Sequence, residues 1–417
     1  MRASIPPEPA LATSIPGVRA AEIFDPESPK AAAELLVTCK ERGLKLGFIG
    51  GGTALGLGNP ARGVDAVVLT RRLDRVVEYA PEDQVIVVEA GITLGRLQAL
   101  ARRNGQWLGV DAPQAERATL GGLVAVGGFG PRRTRYGALR DLLLGVTLVR
   151  ADGAVAHGGG KVVKNVAGFD LPKVVAGSLG SLGLISEVTL RLHPLPELST
   201  TYHCAELEAP GVVQAMLALR QAQLEPSAVV AVRDPRGHYE LGVRLEGFAR
   251  GVERDGARLL DLGRAPGAPP AAAPAWQRLD DSSEQAFWQR AEAPRQNAAL
   301  RCRLATLPTH LPALEPLLRA LLGTLSTGQF AWYATLGIGF VSGEAGAPEL
   351  VLPALGAARE TLVASGGSLI VDAAPGSVSD SFDAWGPEPS AFSVMQQLKR
   401  RFDPEGRMNP GRFVGGL

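Results

Sequence analysis

Lys45-Leu46-Gly47-Phe48-Ile49-Gly50-Gly51-Gly52-Thr53-Ala54 reads as a short apolar strand running straight into a triple glycine. Residues without a Cβ let successive main-chain amides approach one anion, and the Thr53 hydroxyl adds a donor beside them. For three glycines taken alone, a tight structural turn is the simpler alternative. Two more glycine segments follow in order. Thr119-Leu120-Gly121-Gly122 has the composition of a helix start, where a hydroxyl caps the first turn and free amides face an anion, and Pro113 stiffens the approach to it. The third runs Lys161-Val162-Val163-Lys164-Asn165-Val166-Ala167-Gly168-Phe169-Asp170-Leu171 and on into Gly177-Ser178-Leu179-Gly180-Ser181-Leu182-Gly183-Leu184-Ile185. Asp170 is placed to cap a helix, and Gly180 to Ile185 forms a tight turn into a strand. Ordinary capping with packing glycines, and surface lysines, are the plain readings of these two segments.

Outward from the triple glycine the pattern alternates. Asp25-Pro26-Glu27-Ser28-Pro29 reads as a turn, an N-cap and a first-turn proline, followed by a helix with Leu35, Leu36 and Cys39 on its apolar stripe and Gly43 at its close. Ala66 to Leu69 and Val85 to Glu89 look like buried strands, and Thr93 caps a helix through Ala101. Strands are expected at 142–149 and 184–192, the second stopped by His193-Pro194-Leu195-Pro196, a domain boundary. Beyond it come strands at 200–207, 227–233 and 238–246 and helices at 211–222 and 248–262. A second set follows, with strands at 300–307, 329–341 and 367–373 and helices at 311–322 and 350–365. This order predicts an antiparallel sheet with helices on one face. The proline-rich residues 1–20 are expected to be a flexible arm, with order beginning near Ile23, and the Ala, Pro and Gly stretch 265–275 a surface loop.

Composition narrows the class. The 417 residues, 46% hydrophobic and 20% charged, bury a sizeable core and predict about two domains. Forty-three basic against forty-two acidic residues give a net charge of +1, which leaves no electrostatic footprint for nucleic acid or an anionic membrane. Cys39, Cys204 and Cys302 lie far apart, so this chain alone makes no Cys-ligated zinc or iron–sulfur site, and free thiols in a reducing compartment are expected. No metal site is expected. No apolar run approaches a membrane span, and the start lacks the pattern of a signal peptide, so a cytoplasmic protein is expected.

The order and separation of the three glycine segments resemble the FAD-binding domain of the vanillyl-alcohol oxidase and p-cresol methylhydroxylase class of FAD-linked oxidases. Leu398-Lys399-Arg400-Arg401-Phe402-Asp403-Pro404-Glu405-Gly406-Arg407-Met408-Asn409-Pro410-Gly411-Arg412-Phe413 resembles the closing signature of the same oxidases. The resemblance implies an α+β fold: an FAD-binding domain of two subdomains over 21–197, a ferredoxin-like antiparallel-sheet cap over 198–396, and a C-terminal segment, 397–417, packing back on the FAD domain. It implies a cofactor set of Gly50, Gly51, Gly52, Thr53, Ala54, Pro113, Thr119, Gly121, Gly122, Gly127, Gly137, Asp141, Gly180, Gly183, Ile185 and Asn409, with the pyrophosphate against the amides and the Gly180–Ile185 backbone beside the adenine. Some members attach FAD through a histidine after the glycine loop. Here Thr53 occupies that place, so FAD should be non-covalent. Phe169 stands where the family has tyrosine, and the polar role of that position is lost.

Members that oxidise 2-hydroxy acids carry a His-x-Gly-Asp-Gly-Asn-x-His cluster over the flavin. This chain has only His157, His193, His203, His238 and His310, no two closer than ten residues. A complete flavin signature, the Lys164-Asn165-Val166-Ala167-Gly168 segment, an Asn-Pro-Gly-Arg ending and no such cluster resemble the smaller FAD-binding subunits of bacterial glycolate oxidase (glycolate dehydrogenase) complexes. That resemblance implies two partners: a larger flavin subunit with the histidine motif, which handles the 2-hydroxy acid, and an iron–sulfur subunit that accepts electrons. Membrane association would be peripheral at most, through those partners. No catalytic base is assigned. A self-sufficient dehydrogenase of another 2-hydroxy acid or small alcohol would need one from Tyr333, His310 or Asp372, with Arg301 or Arg303 on a substrate carboxylate. Arg301 and Arg303, two apart on a strand, face one side, and a solvated face is their simpler reading. Gly127-Gly128-Phe129-Gly130-Pro131-Arg132-Arg133, with Tyr136-Gly137 and Arg140-Asp141, is likewise either a carboxylate attractor or a solvated stretch. A scaffold that keeps the fold but binds no flavin is the third possibility.

Overall fold

The computed structural model describes residues 15–18, 21–162, 168–262, 275–296 and 298–417. Lys164-Asn165-Val166-Ala167, most of the expected arm and most of the 265–275 loop lie outside them. The chain divides into two compact units: one of 1–130, 137–195 and 383–417, the other of 131–136 and 196–382. The change of unit between Leu195 and Pro196 falls inside the proline pair.

Among its described residues the first unit holds two larger sheets and a two-stranded antiparallel pair, Gln106–Trp107 with His193–Pro194. A three-stranded parallel sheet has the order Glu22–Phe24, Ala66–Leu69, Leu46–Ile49. The helix Pro29–Glu41 starts as the sequence dictates: the Ser28 hydroxyl accepts from the Ala31 amide at 3.1 Å and Pro29 opens the first turn. Its buried stripe of Ala32, Leu36 and Cys39 packs with Leu46, Ala66, Val68 and Leu73. Ile15 and Val18, expected in a loose arm, are buried with Ile49, Val64, Val67 and Leu69, because two apolar side chains here complete the outer side of the parallel sheet. An antiparallel sheet of five strands has the order Val76–Ala80, Val85–Glu89, Leu184–Arg191, Leu143–Val149, Val155–Gly159. The helices Leu94–Arg102 and Leu120–Ala125 contribute Leu94, Leu97, Leu120 and Leu123 to its core.

The last residues of the chain close this unit. Met408 forms a parallel bridge with Leu46 at the edge of the three-stranded sheet. The fully buried Asp403 carboxylate accepts from the Lys399 ammonium at 2.7 Å and the Met408 amide at 2.7 Å through one oxygen, and from the Arg407 amide at 3.0 Å through the other. Lys399 also donates to the Ser181 and Met408 carbonyls, at 2.8 and 2.9 Å. Burial pulls the Lys399 ammonium below its ordinary pKa, against the opposing pull of Asp403.

The second unit is built on one eight-stranded sheet, in the order Gln277–Arg278, Leu198–Leu207, Tyr239–Gly247, Ala228–Arg233, Leu325–Tyr333, Ile338–Ala345, Leu300–Ala305, Ser368–Ala373, with every pair antiparallel. The strand expected at 329–341 is two strands: the chain turns over after Tyr333, and Gly337 takes φ +65° where any Cβ would meet the Thr306 carbonyl at 2.0 Å. The helix Asp281–Glu292, which the sequence reading leaves unassigned, covers Thr201, Gly242 and Arg244. Trp288 donates to the Thr201 hydroxyl at 2.9 Å, and the Arg244 guanidinium lies 4.0 Å from the Trp288 ring centroid.

Candidate cofactor site

The loop after Ile49 is shaped by what presses on it. A Cβ on Gly50 would stand 2.1 Å from the Thr119 hydroxyl, and one on Gly51 would stand 1.7 Å from the Arg117 carbonyl oxygen. Gly52 takes φ +69°. The first two glycine segments are therefore in contact, and the glycines are what permits it. Among the described residues the amides of Gly51, Gly52, Thr53, Ala54 and Leu55 meet no acceptor. Five successive donors left open next to glycines form the kind of concavity that takes an anion.

The second segment behaves differently from its sequence reading. Thr119 is indeed the N-cap, its hydroxyl accepting from the Gly122 amide at 3.3 Å. The amides of Leu120 and Gly121, however, donate to Ile92 and Ala90 at 2.9 and 2.7 Å. None of these three N–H groups is free, so Gly121 and Gly122 offer close packing rather than anion donors: a Cβ on Gly121 would lie 2.6 Å from that of Ala90. The helix start is tied down because it also carries an edge of the core.

The remaining sequence-marked residues are placed as follows. Gly180, at φ +68°, faces the Asn409 side-chain amide and the Phe48 ring. Asn409, itself at φ +44°, donates to the Leu179 carbonyl at 2.6 Å and accepts from the Phe48 amide at 3.2 Å. It thereby ties the 179–180 turn to the strand that feeds the glycine loop. Gly183 at φ +151° is pressed against the Val149 carbonyl, and Ile185 pairs with Leu148. Gly127 runs past Gly177, and Pro113 lies just before Gln114, whose φ is +54°. Asp141 is a cap, accepting from the Ala138 amide at 2.9 Å beside Gly137, which takes φ +81°. Thus loop 50–58, segment 117–119, turn 179–180 and segment 409–412 converge, while Gly127, Gly137 and Asp141 serve local turns.

Two residues absent from the sequence-derived set complete the loop. Arg412 is 6% exposed and reaches under the loop to donate to the carbonyls of Leu55, at 2.6 Å, and Leu57. Its Nη1 has no partner, and burial alone brings its pKa down to about 10. Arg117 donates to the Gly51 carbonyl at 3.4 Å and to Gln114 at 3.1 Å, and its buried Nε has no partner. Both stand beside quoted residues, Arg117 two before Thr119 and Arg412 three after Asn409, but nothing in the sequence marks either as reaching the loop.

In the second unit, register places Arg301, Arg303 and Tyr333 on one face of the sheet, through Ala305, Ile338 and Tyr333 opposite one another. The solvated-face reading of the two arginines does not survive. Arg301 is half-buried, donates to the Arg295 carbonyl at 3.0 Å, and has its pKa lowered by burial, while Arg303 pairs with Asp372 at 3.4 Å. Tyr333, fully buried, donates to Glu292 at 2.9 Å and accepts from Arg295 at 3.3 Å. His310 stands apart, sharing a 3.2 Å contact with Thr306. Arg132, expected to be free for a carboxylate or for solvent, is held by the buried Glu246 through contacts of 2.7 to 3.1 Å. Among the described residues no group of three or more His, Cys, Asp or Glu side chains is set to hold a metal ion, and no helix is long and apolar enough to cross a membrane.

Residues 20–159 match the FAD binding domain family. The chain is 35% identical over 171 residues to glycolate oxidase subunit GlcE of Escherichia coli, covering 41% of this chain and 47% of that one. It is 34% identical over 179 residues to the D-lactate dehydrogenase of Archaeoglobus fulgidus, covering 42% and 40%. The matched stretches thus span about half or less of those relatives. An FAD-linked oxidoreductase of Mycobacterium tuberculosis is 26% identical over 421 residues, covering 94% of this chain and 90% of that one. A solved alkyldihydroxyacetonephosphate synthase superposes with a TM-score of 0.68 at 16% identity, covering 94% and 77%. This chain shares that protein's mixed helix-and-sheet fold, the glycine loop with its open amides lies inside the residues that match the FAD binding domain, and the cofactor is FAD.

Proposed function

We propose that this chain is an FAD-dependent oxidoreductase acting on CH–OH groups, and specifically the FAD-binding subunit of a complex that oxidises glycolate to glyoxylate. The observation that carries the reading is the row of open amides over Gly51 to Leu55 inside the segment that matches the FAD binding domain, in a chain that is also similar over 171 residues to a glycolate oxidase subunit. In this reading the units correspond to an FAD domain of the p-cresol methylhydroxylase type and a ferredoxin-like cap. The pyrophosphate rests on the loop at Gly50 to Ala54, the adenine runs beside Gly180 to Ile185, and Asn409 holds the turn that bounds it. FAD is non-covalent, since Thr53 offers no nucleophilic nitrogen at the loop end. Bound flavin supplies a two-electron acceptor for a hydrogen leaving carbon. The protein's part is to bind and orient it and to exclude water. A larger flavin subunit and an iron–sulfur subunit are the proposed partners, at the cytoplasmic face of a membrane if they bring the complex there.

A second reading, a self-sufficient dehydrogenase of another 2-hydroxy acid, draws on the likeness to D-lactate dehydrogenase and on the half-buried Arg301 and Arg303 with Asp372 and Tyr333 nearby on one sheet face. One experiment separates the two. The purified chain is scanned in the visible, mixed with glycolate or D-lactate without air, and then denatured to release its cofactor. Released FAD with no bleaching by either acid supports the subunit; bleaching by the isolated chain establishes the second reading; a colourless protein that cannot be reconstituted with FAD refutes both.

A further inference from the structure

The glycine loop is flanked by two arginines that have no acid to balance them. Among the described residues neither Arg117 nor Arg412 has a carboxylate within ion-pair distance, although most other buried or half-buried arginines, Arg71, Arg132, Arg233, Arg244, Arg295 and Arg303 among them, do. Arg412 is more than nine-tenths buried, and a cation taken out of water without a counter-charge is costly. Asp383, near the end of the loop, is already engaged by the Asn59 side chain at 2.6 Å and the Trp385 and Gly386 amides at 2.9 and 2.7 Å. Both arginines donate to main-chain carbonyls of the loop, Arg117 to Gly51 and Arg412 to Leu55 and Leu57, and Arg117 donates besides to the Gln114 side chain. With those carbonyls engaged, the amides of Gly51 to Leu55 still meet no acceptor among the described residues, and each guanidinium keeps one buried nitrogen unpartnered.

We propose that Arg117 and Arg412 form a two-point cationic clamp for the diphosphate of the dinucleotide, fixing the carbonyls of the loop and supplying the charge that its neutral amides lack. The inference rests on the reading that this loop holds FAD, and it assigns the charge balance of the site to two positions in different halves of the sequence. A second structural detail agrees with it. The Arg412 carbonyl oxygen accepts from Asn59 at 3.0 Å and from the Trp385 indole at 2.9 Å, and Gly58, at φ +96°, lies where a Cβ would meet that oxygen at 2.5 Å. The main chain of Arg412 is thus fixed to the far end of the loop that its side chain enters from below.

The test uses the full chain stripped of cofactor. FAD is titrated into wild type, Arg117→Met, Arg412→Met and Arg412→Lys with flavin fluorescence quenching as the readout, and the thermal midpoint of each apoprotein is read with and without inorganic pyrophosphate. Each methionine variant is expected to bind FAD at least about tenfold more weakly, the scale of one charge-assisted contact. Both should lose the pyrophosphate-induced rise in midpoint that wild type shows, and Arg412→Lys should keep most of it. Variants that bind FAD as wild type does, or an Arg412→Met that is less stable yet unchanged in FAD affinity, would overturn the clamp and leave the flavin reading intact. Wild type that binds no FAD would overturn the flavin reading and the clamp together. If Arg412→Met fails to fold, Arg117→Met with the pyrophosphate series decides the matter.

Discussion

Asp403→Asn should be among the most damaging single-atom-scale changes in the first unit. The Asp403 carboxylate is fully buried and meets three donors: Lys399 and Met408 on one oxygen, Arg407 on the other. An asparagine must point its NH2 at one of those donors whichever way it is turned, and it leaves the buried Lys399 without its counter-charge. Removing one partner of a buried pair costs about 3–5 kcal/mol. At about 2–4 °C per kcal/mol for a unit of this size, the thermal midpoint should fall by roughly 6–20 °C. Lys399→Met should cost less, because Asp403 would still accept two main-chain amides and only the Ser181 and Met408 carbonyls would lose a donor. The assay is urea unfolding followed by circular dichroism, with the double variant closing a thermodynamic cycle. An Asp403→Asn protein within about 1 kcal/mol of wild type, or one milder than Lys399→Met, would refute the argument that this carboxylate organises the closing segment.

Other outcomes are equally definite. Gly51→Ala places a Cβ 1.7 Å from the Arg117 carbonyl, so the loop must move, and FAD should bind at least about tenfold more weakly by equilibrium dialysis as amide donors are lost. Burial pushes the Cys204 thiol up to about 12 and raises Cys39 and Cys302 as well, so a chromogenic disulfide reagent should find none of the three thiols in the folded protein and all three in denaturant. Burial disfavours the Glu246 carboxylate, but its hydrogen bonds and charge contact with Arg132 prevail and its pKa lies below 4.5. Its ionised form therefore contributes stability that is full above 4.5 and lost as pH falls through the folded value. Glu246→Gln should cost about 3 kcal/mol or more at neutral pH, and the gap in urea midpoint between it and wild type should close in acid.

Much of the secondary structure was legible because it is written in periodicity and punctuation. Ala66–Leu69 is an all-apolar run and Val85–Glu89 is apolar up to Glu89, both lie where the pattern put them, and Ser28-Pro29 and Thr93 start helices for the reason those residue types are favoured there. Val76–Ala80 went unread because its apolar residues, Val76, Val77 and Tyr79, show neither strict alternation nor an unbroken run, and the strand lies at the sheet edge with its first three residues exposed. Asp281–Glu292 went unread because its first turns are polar, and only Phe287, Trp288 and Ala291 are buried. The 329–341 run was taken as one strand because apolar residues continue on both sides of a turn marked in sequence by little beyond Gly337. At the site, the glycine loop was visible as composition. The pairing of the Gly121 amide with Ala90 was not, nor were Arg117 and Arg412, because each depends on segments that meet only in space. A guanidinium beside a motif has the same sequence signature whether an acid waits for it or not.

The first unit is finished by its last strand of chain: Met408 against Leu46, Asn409 bridging Phe48 and Leu179, Arg412 under Leu55. During synthesis, residues 1–195 emerge long before those contacts exist, and the whole of 196–382 is made in between. At about 5–20 residues per second that interval is roughly 10–40 s. The inserted unit can complete its own sheet within that time, while the nascent first unit waits with the Leu46 edge uncovered and its cofactor loop unsupported. Loading of the dinucleotide is then a late event in the life of the polypeptide, and the waiting interval is when a chaperone, or mispairing at the open edge, has its opportunity.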